Sequence, residues 1–134
     1  MQLTPPLITA LFAGLCGLLS IVLAIRVSVT RSKYKTEIGF GDNMALQQVI
    51  RVHANNAEYT ALGLVVLALI ETLGAPSLAV YVLGGGLLVG RLLHAQGLSS
   101  ATGPTFGRIA GQTLTWLAIG LACLYAVYFW AQAI

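Results

Sequence analysis

Apolar positions in this chain fall into long unbroken blocks, without the alternating or one-in-four patterning of a soluble fold. Leu7 to Ile25 is 19 residues without a charge, enough for a helix to cross about 30 Å of hydrocarbon. A second block, Pro76 to Gly90, continues through Arg91 to His94, and a third, Ile109 to Ile134, reads as apolar throughout. A further span is masked. Only Thr60 to Ile70 is free of charge there, yet Met44 to Leu73 contains no proline and one glycine. As one helix it would run about 45 Å and project beyond a bilayer. The pattern therefore predicts an all-α membrane protein, a bundle of four transmembrane helices near 7–30, 44–73, 76–96 and 107–133. The breaks are short and chemically marked: Arg31 to Asn43, Gly74-Ala75-Pro76, and Gly97 to Thr105. None accommodates a second domain, so residues 1–134 read as one integral membrane domain.

Composition agrees. Only 8% of residues are charged and 57% are hydrophobic, against about 25% charged in an ordinary soluble domain. The first span is not expected to be a cleaved signal, because Met1 to Pro6 lacks the basic residues of such a segment and the apolar run is too long. All seven basic residues, Arg26, Arg31, Lys33, Lys35, Arg51, Arg91 and Arg108, lie in or near the first and third loops. By the positive-inside rule those loops are cytoplasmic and both termini face the other side. The net charge of +3 is then a topology signal, and the basic soluble face that nucleic-acid binding requires is missing. Cys16 and Cys123 fall within spans, where a thiol packs as a small apolar group. Nothing has metal-ligand spacing, so no metal is expected.

The chemistry is concentrated in the masked span. Arg51, Asn55, Glu58 and Tyr59 stand at i, i+4, i+7 and i+8, within about 100° of arc on a helix. A central Arg or Asp costs roughly 2.5–3.5 kcal/mol to insert into a bilayer, so such residues usually face a bundle interior or a wet cavity. The ordinary reading is an Arg51–Glu58 ion pair that fixes packing, with Asn55 and Tyr59 bonded across helices. The combination of types favours a ligand. Arginine and asparagine suit a carboxylate, glutamate suits an ammonium, and a phenol serves either, which together match a zwitterion. His53 and Asn56 lie on another arc, and Glu71, near the far end of this span, reads as structural. Arg91 and His94 share one face of the third helix, where they bind a ligand or, as basic residues near a C-terminus, answer the helix dipole. Arg108 opens the fourth helix against the local dipole, which an outside anion or positive-inside anchoring would explain. Gly86-xxx-Gly90 and Gly107-xxx-Gly111 permit close helix approach.

These residues carry a resemblance. Arg51-Val-His53-Ala-Asn55-Asn-Ala-Glu58-Tyr59, preceded by the turn Gly39-Phe40-Gly41-Asp42-Asn43 and followed by Gly90-Arg91-x-x-His94-Ala-x-Gly97, resembles the MAPEG family, the membrane-associated proteins in eicosanoid and glutathione metabolism, and its bacterial branch in particular. The resemblance covers essentially the whole chain. It implies a homotrimer of four-helix bundles in a lipid bilayer, expected to be a bacterial inner membrane. Glutathione would bind as a thiol cosubstrate between subunits, open to the cytoplasm, and react with an apolar small-molecule substrate from the bilayer in a transferase or peroxidase reaction. Arg51, Asn55, Glu58 and Tyr59 match the positions that hold the peptide. His53 matches a polar contact, Arg31 a basic contact at the end of the first helix, and Arg91 and His94 the third-helix element. The chain also departs from the pattern. Tyrosines expected at the cytoplasmic end of the third helix are replaced by His94 and Leu98, and Ser99 to Thr105 lacks the arginine that would stabilise a thiolate. Arg108 is the catalytic candidate left. Two other classes compete: a noncatalytic membrane scaffold, and a small multidrug-type transporter, which would carry a carboxylate in the first span where this chain has none.

Overall fold

The computed structural model describes residues 5–134, so residues 1–4, part of the expected topology of the N-terminus, lie outside the described residues. Four helices follow one another: α1 (Leu7–Tyr34), α2 (Met44–Thr72), α3 (Ser77–Ser100) and α4 (Phe106–Ala133). They run alternately up and down. Arg26 Nη1 of α1 donates to Ser99 Oγ of α3 at 2.7 Å, and Gln48 Nε2 of α2 donates to the Leu98 carbonyl at 2.7 Å. The end of α3 therefore meets the end of α1 and the start of α2. α3 and α4 make the most extensive contact, and α1 and α4 do not approach one another among the described residues.

Among the described residues, three helices are long and apolar enough to cross a membrane: α1, α3 and α4. α2 is as long, at 29 residues, but Arg51, Glu58 and Glu71 dilute its apolar surface, and it does not qualify on composition. Two expected ends move outward. α1 continues through Arg31 to Tyr34, since a basic cluster beyond the hydrocarbon is no obstacle to a helix. It stops at Lys35 in the left-handed conformation, φ 49°. α3 passes through Gly97, which was expected to open a loop, and continues to Ser100. That glycine is there for space, because a Cβ at Gly97 would collide with the Arg108 amide and Gly107 of α4.

Local chemistry explains the remaining boundaries. The Asn43 side chain caps α2 by accepting from Leu46 N–H at 3.0 Å, and Thr105 caps α4 by accepting from Arg108 N–H at 3.2 Å. The α2–α3 turn needs Gly74, whose φ is 93°. α1 has no side-chain cap of its own. Glu71 supplies one from the far end of α2, accepting from the amides of Ile8 (2.8 Å) and Thr9 (2.7 Å) and from the Thr9 hydroxyl (2.6 Å). A carboxylate there satisfies first-turn donors and meets the positive end of the α1 dipole, so the structural reading of Glu71 fits what is seen. Phe12, Leu67, Ile70, Val80, Leu83 and Ala122 pack together at this end of the bundle. The polar residues gather at the other.

Candidate functional site

At the end where α1 and α3 finish and α2 and α4 begin, the helices enclose two adjoining clefts. One, of about 260 Å³, is lined by Met44, Gln48, Arg51, Asn55, His94, Leu98 and Arg108, among others. The second, of about 560 Å³, is walled by Pro104, Ile109, Gln112 and Trp116 together with Asn55, His94 and Arg108. Asn55, His94 and Arg108 thus stand at the junction of the two. The first cleft is lined mostly by polar side chains, and no carboxylate among the described residues lines it. The second has an apolar outer wall, where Ile109 and Trp116 are more than half exposed on the outside of the bundle.

A seam of glycines brings these residues together. A Cβ on Gly90, Gly97 or Gly111 would strike backbone of the facing helix, and one on Gly107 would crowd the Leu93 carbonyl at 3.0 Å, so α3 and α4 touch main chain to main chain along this stretch. Such an approach places His94 of α3 directly against Gly111, one turn from Arg108. The expected Gly107–Gly111 pair lies in this seam. Of the other expected pair only Gly90 does, for a Cβ on Gly86 would meet ordinary contacts at 3.6 Å or more.

Arg91 is the most deeply buried charge, 1% exposed, and it lines neither cleft. Its guanidinium spans three helices. Nε donates to Thr115 Oγ1 at 3.0 Å, Nη1 to Asn55 Oδ1 at 2.9 Å, and Nη2 to Gln112 Oε1 at 3.2 Å. The ring of Tyr59 lies 5.2 Å from the guanidinium carbon. Because α3 extends to Ser100, Arg91 is not in its last turn, so the helix-dipole explanation falls. α4 is also not apolar throughout: Gln112 and Thr115 are the polar partners that Arg91 requires.

The residues singled out in the sequence are thus divided. Arg51, Asn55, His94 and Arg108 line the clefts. Arg91 and Tyr59 stand behind them. Glu58 faces outward and approaches Arg51 at 4.0 Å, with both side chains 57% exposed. His53 is half-buried on another arc of α2. Arg31 sits apart at the end of α1, donating to the carbonyls of Glu37 at 3.2 Å and Gly39 at 2.8 Å. Arg108 lends two longer bonds to the Thr102 and Gly103 carbonyls, at 3.3 and 3.5 Å. Its charge has only neutral partners among the described residues.

Gln112 and Trp116 escaped the sequence reading. Their signal was present in the spacing, since 108, 112 and 116 fall one turn apart on a single face. An amide inside an apolar span is itself a functional pointer.

Helices long and apolar enough to cross a membrane mark this chain as a membrane protein. Residues 9–128 match the model of the MAPEG family, and the chain belongs to it. Among its relatives is the inner membrane protein YecN of Escherichia coli strain K12, 32% identical over 123 residues, or 92% of each chain. The YecN protein of Escherichia coli O6:H1 matches to the same extent.

Proposed function

We propose that this chain binds glutathione at the paired clefts and joins its sulfur to apolar electrophiles, or uses it to reduce hydroperoxides, that arrive from the bilayer. One observation carries the reading: a cleft lined mostly by polar side chains and one with an apolar outer wall meet at Asn55, His94 and Arg108. A tripeptide thiol suits the first. Arg51 and the Asn55 amide offer donors to its carboxylates, and Glu58, free to leave a weak exposed pair with Arg51, suits its ammonium. The second cleft, bounded by Ile109 and Trp116, suits a lipid-soluble partner. The thiol would then lie at the junction beside Arg108. A thiol near pKa 8.5 is mostly protonated at neutral pH, and an adjacent cation favours the thiolate. Attack of that thiolate on an electrophilic carbon forms a C–S bond, and the leaving group departs with its electron pair. With a hydroperoxide the thiolate sulfur takes the terminal oxygen as a sulfenic acid while the O–O bond breaks and an alcohol leaves, and a second glutathione then forms the disulfide by displacing that oxygen as water.

The same reading places the cleft end of the bundle in the cytoplasm of an inner membrane, with α2 as a fourth span shielded by assembly. Glu58, Leu62, Val65 and Leu69 repeat at helical spacing along the outside of α2, and all are more than half exposed. A polar stripe running into an apolar one suits a protein neighbour better than lipid, which supports a homotrimer whose subunits share each ligand. Calorimetric titration with glutathione, followed by turnover assays with a chlorodinitrobenzene and an organic hydroperoxide, tests the function. Binding with turnover supports it. Binding without turnover would leave a receptor-like role, and no binding would favour a scaffold.

A further inference from the structure

We infer that Arg91 is a positioning residue that fixes the amides of Asn55 and Gln112 with their oxygens inward, so that Asn55 meets a cleft ligand only as a donor. This deepens the glutathione reading and, for its ligand consequence, rests on it. An amide is ambivalent, with an accepting oxygen and a donating nitrogen on either side of one carbon. A guanidinium is not, since all of its N–H groups donate and nothing on it accepts. Whichever end of each amide faces Arg91 must therefore be the oxygen.

Three observations converge. Arg91 donates to Asn55 Oδ1 at 2.9 Å and to Gln112 Oε1 at 3.2 Å, using a different terminal nitrogen for each, and Nη1 also reaches the Asn55 main-chain oxygen at 3.4 Å. The cation is 1% exposed, and no carboxylate comes within ion-pair distance of it among the described residues. Among the described residues its hydrogen bonds all go to neutral oxygens, with the Tyr59 ring beside it, and losing one acceptor from a buried cation is costly. Finally, Gln112 Nε2 is shielded from solvent and has no hydrogen-bond partner among the described residues. A freely rotating amide would not leave its donor stranded; one pinned by its oxygen does. Asn55 has the same oxygen pinned, and it lines both clefts. Asn55 and Arg108 at the junction, with Arg51 in the first cleft, then present donors and cations, and select ligand groups that accept: carboxylates, peptide carbonyls or a thiolate.

Substitutions that leave Arg91 in place test this. Thermal stability in detergent is compared for Gln112→Glu and Gln112→Met, and for Asn55→Asp and Asn55→Leu. Oxygens facing the cation predict that Gln112→Glu and Asn55→Asp keep or raise Tm, because a carboxylate now pairs with the buried charge. Gln112→Met and Asn55→Leu should lower it. A fall for Gln112→Glu as large as for Gln112→Met would overturn the inference, and this comparison needs no ligand. Glutathione affinity is then measured for Asn55→Asp, which keeps the inward acceptor but has no N–H to offer. A loss of about tenfold or more, at undiminished Tm, is expected. Wild-type affinity in Asn55→Asp would overturn the donor role while leaving the glutathione reading standing. If the native protein does not bind glutathione, that reading falls, and the Tm order alone decides the inference.

Discussion

The α3–α4 seam makes Gly111→Ala a demanding test of how this site is held. A methyl group at Gly111 would strike the His94 amide, lie 2.6 Å from the Gly90 carbonyl oxygen and 2.9 Å from His94 Cα. All three are backbone, so no side chain can swing away and the helices must separate. Overpacking of this kind costs about 1–3 kcal/mol. For a chain of 134 residues, unfolding entropy converts that to a Tm decrease of roughly 4–11 °C. Gly120→Ala, on the same helix, is the control. Nothing lies within 4 Å of its virtual Cβ, and alanine in an open helical position is worth about 0.5–1 kcal/mol over glycine. The same one-methyl change is therefore expected to have opposite signs at the two sites. Differential scanning fluorimetry in mild detergent reads both. The Gly111 variant should also lose glutathione affinity, since His94 and Arg108 are displaced together. Equal Tm changes for the two variants would refute the backbone-contact reasoning.

Glu71→Ala strips the acceptor from the Ile8 and Thr9 amides and should cost roughly 1–3 kcal/mol, seen as a lower Tm with glutathione affinity preserved in the folded fraction. Arg51→Ala and Glu58→Ala should each shift stability by no more than about 1 kcal/mol, because their ion pair is long and exposed. Each should still weaken glutathione binding ten- to a hundredfold, as expected for loss of a charge-assisted contact of about 1.5–3 kcal/mol. Substituted-cysteine labelling in intact cells should find positions 33 and 35 in the cytoplasm and the C-terminus outside it; a cytoplasmic C-terminus would contradict the four-span topology. Native mass spectrometry in mild detergent should show trimers, and only monomers or dimers would count against shared sites.

Much of the fold was legible in the sequence because membrane-crossing helices need a long apolar surface, which Leu7 to Ile25 and most of Ile109 to Ile134 supply. Helix ends were less so. Gly97 looks like a stop signal, yet it is a contact residue, and only the position of α4 distinguishes the two. The site was half legible. The stripe on α2 announced itself by residue type, and Arg51 and Asn55 do line a cleft. The division of labour did not, because it depends on which neighbour each side chain reaches. Arg91 and Arg108 are equally basic in sequence, but burial among Thr115, Asn55 and Gln112 makes one a scaffold for amides, while the other stands open at the junction of two clefts. Gln112 was passed over because an apolar average across α4 hides a single amide.

Ultraviolet absorbance of a glutathione thiolate, followed as the purified protein is titrated with glutathione near neutral pH, tests the central claim most directly. The account predicts a thiolate signal that grows to saturation with ligand and is lost in Arg108→Gln, whose shorter side chain is polar but uncharged. Saturable binding with no thiolate signal would contradict activation at the junction of the clefts, and no binding at all would contradict the glutathione site itself.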